Sequence, residues 1–227
     1  MTLESKSDLA TRMAELARNV AMPVALEDVL QGVTKTAVEL IPTAEHSGVL
    51  LLGTGGGHET LAPTSALMFE LDQIQIDSGE GPCLEAAMDD LIVGTADFAQ
   101  EKRWPVYSQR VLALGLRSAM SFKLYTATRT AGALNVFSSK AHAFDGESES
   151  IGTVLAAHAA AAIMASRQGE QLQSALTSRD LIGQAKGIIM ERYRVDAVRA
   201  FEMLRQLSQS SNVKLVEIAE QVIDTRD

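Results

Sequence analysis

From Ser148 to Arg192 the chain contains no proline, and the run Val154-Leu-Ala-Ala-His-Ala-Ala-Ala-Ala-Ile-Met-Ala165 consists of residues that favour helix. A single helix from about 147 to 192 is near 68 Å long at 1.5 Å per residue. No small domain surrounds a helix of that length, so a second copy of the chain is the natural way to bury its Ala/Leu side, and a homodimer held by the 147–176 helix is expected. Its small residues permit close approach of such a partner. Ile163, Leu172 and Leu176 punctuate an imperfect heptad, Gly169 and Gln171 weaken it, and residues 166–173 form a candidate hinge.

The stretch Thr177 to Ile223 shows apolar residues at helical spacing three times, separated by two polar breaks. Ile182, Ala185 and Ile189 mark a first helix, with Leu181 and Ile188 widening its face. Ala197, Ala200, Phe201, Leu204 and Leu207 mark a second; Leu215, Ile218, Ala219 and Val222 mark a third. Asp196 is placed to cap the second helix, and Asn212 fits the break before the third. Three short helices make a small core that leans on a neighbour or on a second copy.

Charge singles out the same stretch. Residues 179–214 hold seven basic residues (Arg179, Lys186, Arg192, Arg194, Arg199, Arg205, Lys214) against four acids, a net +3. Residues 1–178 hold 12 basic and 21 acidic residues, a net −9. The chain as a whole repels polyanions, and here the repulsion reverses. Arg179, Gly183, Lys186 and Met190 fall on one strip of the first helix. Gly183 and Gly187 each cost roughly 1 kcal/mol inside a helix. Close approach of a phosphate backbone or of another helix would account for them, and both stay open. Tyr193, between Arg192 and Arg194, offers a stacking platform for a base; its alternative is a lid on the core. A DNA-binding helix-turn-helix fits poorly, because the third helix carries Glu217, Glu220 and Asp224 with only Lys214 at its start.

Three groups of residues in this stretch carry a family resemblance. They are Gln184-Ala-Lys-Gly187, Ala200-Phe201 with Leu204-Arg205, and Asn212-x-Lys214-Leu215 with Ile218-Ala219. Together they resemble the ANTAR family, the RNA-binding output domain of bacterial antiterminators. The resemblance implies binding of paired RNA stem-loops in nascent transcripts and prevention of transcription termination, with RNA polymerase affected only indirectly. The candidate RNA-binding residues are Arg179, Gln184, Lys186, Tyr193, Arg205 and Lys214, with Gln184, Lys186 and Arg179 projecting from one helix beside the glycines.

Earlier in the chain, residues 5–20 read as a short amphipathic helix and Leu26 to Ile41 as a longer one stopped by Pro42. Ser47–Gly53 is a strand, and the glycine cluster after it lacks the Lys-Ser/Thr of a P-loop, so it reads as a hairpin turn. A helix-like piece follows over Ser65–Ile74, then a turn forced by Gly79, Gly81 and Pro82, and a helix beginning at Cys83. Leu91–Thr95 reads as a strand, Arg103–Leu114 as a helix, Ser118–Tyr125 as a strand, and Ala131–Phe137 as its hairpin partner after a turn at 127–130. Helices before and after hairpin-joined strands indicate an α+β domain with an antiparallel sheet.

The Gly79-Glu-Gly-Pro-Cys83 turn, Arg103-Trp-Pro105 and Gly132-Ala-Leu-Asn-Val-Phe137 resemble a GAF domain of the kind fused ahead of ANTAR in actinobacterial proteins. The expected architecture is an N-terminal helix (1–22), a GAF sensor domain (23–165), a helical linker or coiled coil (166–176) and a three-helix ANTAR domain (177–227). GAF domains commonly hold a small molecule against one sheet face. Here the expected pocket is lined by Gly79, Glu80, Gly81 and Cys83 with Met120, Phe122 and Leu124. No ligand or cofactor is named by the sequence, because neither His142 nor Cys83 can be given a haem- or bilin-binding role.

No GxSxG, HExxH or Cys/His pairing is present, the four histidines are scattered, and no metal or enzymatic activity is expected. The acids Glu80 and Glu85 would raise the pKa of Cys83, which reads as a packing residue. A single cysteine, the absence of a signal-like N-terminus and the lack of an apolar run of about eighteen residues point to the cytoplasm, away from membranes. The expected function is an RNA-binding antiterminator whose GAF domain controls a dimeric ANTAR domain. The alternative is a GAF-mediated dimeric interaction module without specific RNA binding.

Overall fold

The computed structural model describes residues 25–53, 57–88, 91–124 and 131–225. The helix expected over 5–20, the glycine tip at 54–56 and the turn expected at 127–130 lie outside the described residues. The chain divides into two compact units at Ser166/Arg167.

In the first unit, α1 (Leu26–Leu40) buries Val29, Leu30, Val33 and Ala37 at three- and four-residue spacing. Ile41 then adopts an extended conformation (φ −80°, ψ 116°), as a residue before proline must, and the helix stops there. Five strands follow: β1 (His46–Leu52), β2 (His58–Leu61), β3 (Ile92–Thr95), β4 (Ser118–Lys123) and β5 (Ala131–Ser138). They form one antiparallel sheet in the order β2-β1-β5-β4-β3. β1 and β2, on either side of the glycine cluster, pair antiparallel, with Leu52 opposite His58.

Side-chain alternation divides this sheet into two faces with separate cores. Val49, Leu51, Met120, Phe122, Leu134 and Val136 pack with α1 and with the first turns of α5 (Gly146–Tyr193), through Ile151, Leu155, Ala159 and Ile163. Gly152 lies directly against the Phe122 ring, where a Cβ would overlap it. On the other face Leu50, Ala119, Ala133 and Phe137 pack under α2 (Leu67–Ser78), α3 (Pro82–Met88) and α4 (Pro105–Ala113). Tyr107 and Phe98 meet there edge to face at 5.8 Å. Full burial of each large apolar side chain contributes roughly 1.5–3 kcal/mol.

By composition, α5 contains a window long and apolar enough to cross a membrane, which the residue-by-residue reading passed over. Half of that window is buried in the protein. Helices whose apolar side is packed in a core meet the same criterion.

The second unit contains the remainder of α5, then α6 (Ala197–Ser211) and α7 (Leu215–Asp224). Asp196 caps α6, its side chain accepting from the Arg199 N–H at 2.8 Å. Asn212 ends that helix in the left-handed conformation (φ 54°). The core is small: Ala185, Ile189, Ala200, Leu204, Ile218 and Ala219. Phe201 and Leu207, expected on the inward stripe of α6, are instead 41% and 48% exposed. Two short helices cannot cover a stripe that wide.

Candidate functional site

The motifs that fix the first unit hold one another. Gly81 adopts φ +137°, and a Cβ there would overlap the Gln75 side chain. That side chain needs the space, because its Oε1 accepts from the Cys83 N–H (3.0 Å) at the start of α3. The Glu80 carboxylate accepts from the N–H groups of Val106 and Tyr107 (2.9 and 3.1 Å), satisfying the N-terminus of α4. Glu85 accepts from Trp104 Nε1 (3.0 Å) and from Arg103 (2.9 Å). The Arg103 guanidinium lies 4.1 Å from the Trp104 ring centroid and also holds Glu101 at 2.7 Å. These contacts account for the GEGPC and RWP elements as structure.

The expected ligand pocket does not assemble. Cys83 is buried among α2, α3 and α4, whereas Met120, Phe122 and Leu124 belong to the core on the opposite sheet face. The reason is strand parity: in β4, Ala119 and Ser121 face Cys83, and alternation sends Met120 and Phe122 away from it. Gly79 is exposed and only closes α2 with φ 66°. Phe122 does line a cleft of about 440 Å³ beside α5, with Leu91, Ile92, Ala157 and Met164. Met120 borders a separate cavity of about 400 Å³ with Thr95, Phe144 and Glu149.

The Cys83 face instead holds buried polar groups that the sequence reading missed. Asp72, Gln75, Tyr107 and Asn135 are wholly buried, and each has a side-chain atom without a hydrogen-bond partner. Ser121 Oγ donates to Asn135 Oδ1 at 2.6 Å, and Thr60 Oγ1 to Asp72 Oδ2 at 2.8 Å. Burial pushes the Asp72 carboxyl up to about 7. Burial also raises the Cys83 thiol well above its ordinary value, with the Asp72 charge adding to it, which disfavours the nucleophilic thiolate. The signal available in sequence was the polar pair Ser121 and Asn135 on one parity of β4 and β5.

In the second unit Arg179 and Lys186 lie seven residues apart and share one strip of α5, since seven steps of about 100° return within about 20°. Gln184 does not join them. It sits about 160° from Lys186, on the side of Asp180 and Glu191. Arg205 projects from the outer face of α6 with Val198 and Phe201, and Lys214 is exposed at the start of α7. Among the described residues Arg179, Lys186, Arg194 and Arg205 form no ion pair, whereas Arg199 pairs with Glu202 (3.2 Å). A Cβ at Gly183 or Gly187 would meet nothing within 4 Å, so packing among the described residues does not require these glycines. Tyr193, at the end of α5, is 58% exposed and is not a core lid.

The GAF domain profile matches residues 24–164 and the ANTAR domain profile residues 170–223. The chain belongs to the GAF domain family and carries an ANTAR domain. GAF domains are sensor domains and ANTAR domains are RNA-binding antiterminator domains, so at family level this is a sensor–regulator. Comparison with curated proteins returns no match.

Solved structures similar to the GAF–ANTAR chain share the fold. A GAF domain of a phosphoenolpyruvate-protein phosphotransferase from Coxiella burnetii is 19% identical, with a TM-score of 0.55 over 72% of this chain and 96% of that one. Free methionine-R-sulfoxide reductase from Neisseria meningitidis, in complex with its substrate, is 17% identical, with a TM-score of 0.57 over 74% and 95%. A domain of a two-component sensor histidine kinase protein from Sinorhizobium meliloti is 14% identical, with a TM-score of 0.54 over 66% and 98%.

Proposed function

We propose that this protein is an RNA-binding antiterminator in which the GAF domain controls a dimeric ANTAR domain that grips paired stem-loops of nascent transcripts in the cytoplasm. The observation that carries the reading is the set of unpaired cations, Arg179, Lys186 and Arg205, on a net-positive ANTAR segment of an otherwise acidic chain. Lys214 adds to them, its contact with Glu217 being only a long 4.0 Å pair on the surface. These side chains neutralise phosphates, and the open backbone at Gly183 and Gly187 lets a phosphate strand approach. Gln184, on its separate flank, contacts RNA only if the RNA wraps the helix. RNA polymerase is affected indirectly, through the terminator that the bound RNA cannot form.

Dimerisation is supported by residues 168–177 of α5, which are exposed on every side. Leu172 and Leu176, one turn apart, are 63% and 43% exposed. A parallel second copy covers that seam. The ligand that the GAF domain senses is not specified by this reading.

The test is Lys186→Ala combined with Arg205→Ala in the full chain, assayed on tandem stem-loop RNA with circular dichroism as the folding control. Affinity falls and the salt dependence flattens, by about 0.7 in log–log slope for each lost contact on single-stranded loops. Unchanged affinity in a folded double variant removes this face. Light scattering on the whole chain tests the dimer, which a monomeric mass rules out.

A further inference from the structure

The ANTAR core is open at one end. Where the last two turns of α5 meet the second half of α6 there is a cleft of about 450 Å³ walled by Ile188, Tyr193, Met203 and Leu207. Tyr193 is 58% exposed and Leu207 is 48% exposed, so the cleft presents apolar surface to solvent. Its size falls within the range of small-molecule sites. Tyr193 is the last residue of α5, and Arg194 turns the chain sharply behind it with φ 52°. Gln206 and Ser210, one helical turn apart on α6, line the same cleft. They supply an amide donor, an amide acceptor and a hydroxyl oxygen that can accept, the Ser210 proton being given to the Leu207 carbonyl (3.0 Å); such groups read the edge of a base.

Charge indicates which occupant belongs here. Among the described residues no acid lines this cleft, and Arg192 is the one charged residue that does. Arg192 donates to the Thr225 carbonyl (3.0 Å), offsetting the negative end of α7. A second groove of the same unit, about 670 Å³ between the 169–181 segment of α5 and α7, is lined by Glu170 and Glu220 and, among the described residues, by no cation. A polyanion is compatible with the first groove and is repelled by the second.

We infer that the Tyr193 cleft receives one unpaired nucleobase of the RNA loop, stacked on the Tyr193 ring and bonded at its edge by Gln206 and Ser210. The inference rests on the RNA-binding reading and adds to it a site for a single base. Base–aromatic stacking is sequence-tolerant, so stacking supplies affinity and the two α6 side chains supply discrimination. The phosphate face and the cleft then act separately, the first salt-dependent and the second not.

The probe is a tandem hairpin RNA selected by the full-length protein from a pool with randomised loops. Tyr193→Ala is expected to weaken binding about 10- to 100-fold with no change in salt slope, while Tyr193→Phe stays within about threefold of wild type. Gln206→Ala lowers affinity and relaxes base preference at one loop position. Removing that base from the RNA matches the loss caused by Tyr193→Ala, and the two changes together cost no more than either alone. Tyr193→Ala binding as wild type does, or losses that add to every abasic substitution, would overturn the inference. So would a Tyr193→Ala protein with altered oligomeric mass and intact RNA affinity, which assigns the cleft to a protein contact. If Lys186→Ala with Arg205→Ala abolishes binding and Tyr193→Ala leaves it intact, the RNA reading stands and the cleft falls. If the full chain selects no RNA, both fall.

Discussion

Asp72 is wholly buried on α2, with one carboxylate oxygen bonded to Thr60 and Oδ1 unpartnered. Replacing it with asparagine removes a charge that the GAF core resists. Burial holds the carboxyl at about 7 against an ordinary 3.8. In the folded protein the proton therefore stays on between those two values, while the unfolded chain loses it. The contribution of Asp72 to stability is greatest below about pH 4, falls as pH rises toward 7 and levels off above it. The full difference is about 4 kcal/mol at 1.36 kcal/mol per pH unit, an upper bound because water entry relieves part of it. Asp97 and Glu101, both held near 2 by arginine partners, are ionised throughout pH 5–8 and add no slope there. Trp104, the chain's one tryptophan, is 4% exposed in the same cluster as Cys83 and Tyr107, so its emission reports unfolding of this unit. Urea titrations at pH 5, 6, 7 and 8 should show the wild-type midpoint falling and the Asp72→Asn midpoint flat, with the variant the more stable at pH 8. Parallel midpoints across that range would refute the reasoning.

Gly187→Ala should move two observables in opposite directions. It stabilises α5 by up to about 1 kcal/mol, since a Cβ there meets nothing, and it weakens RNA binding if the phosphate strand approaches the bare backbone. Equal stability and affinity in variant and wild type would contradict both halves. Gly81→Ala forces a side chain into φ +137° and into Gln75, and should cost about 3 kcal/mol or more, read as a lower GAF melting temperature with the ANTAR helix signal unchanged. Asp196→Ala removes the α6 cap and should cost about 1 kcal/mol in the ANTAR unit, visible by hydrogen exchange at the Arg199 amide.

The fold was legible where a local rule has one solution. Pro42 leaves Ile41 no helical continuation, and the strands on either side of the glycine cluster can only meet as a hairpin. Asp196 beside an unsatisfied helix start announces its own bond. In the ANTAR unit the 3.6-residue period located all six core residues, yet it also placed Phe201 and Leu207 inside. Periodicity gives the direction a side chain faces, and whether anything covers it depends on the size of the neighbouring helices. The same limit hid the Tyr193 cleft, which exists because α6 and α7 are too short to close over the end of α5.

The sensor face was misassigned for a different reason. An apolar strand beside a glycine turn looks like a pocket wall, but Met120, Phe122 and Leu124 are apolar because α1 and α5 lie on them. A buried strand in a sheet covered on both faces carries no polar parity from solvent, so its occasional polar residue becomes the informative one. Ser121 and Asn135 sit opposite each other on β4 and β5, both buried and hydrogen-bonded together. Their parity points to Cys83, and across from them stand Asp72, Gln75 and Tyr107 with unused donors and acceptors. An apolar core gains nothing from such groups, and leaving each unbonded costs about 1–3 kcal/mol. The placement of polar residues on an otherwise apolar strand therefore marks the face of this GAF domain that buries polar groups better than its apolar residues do.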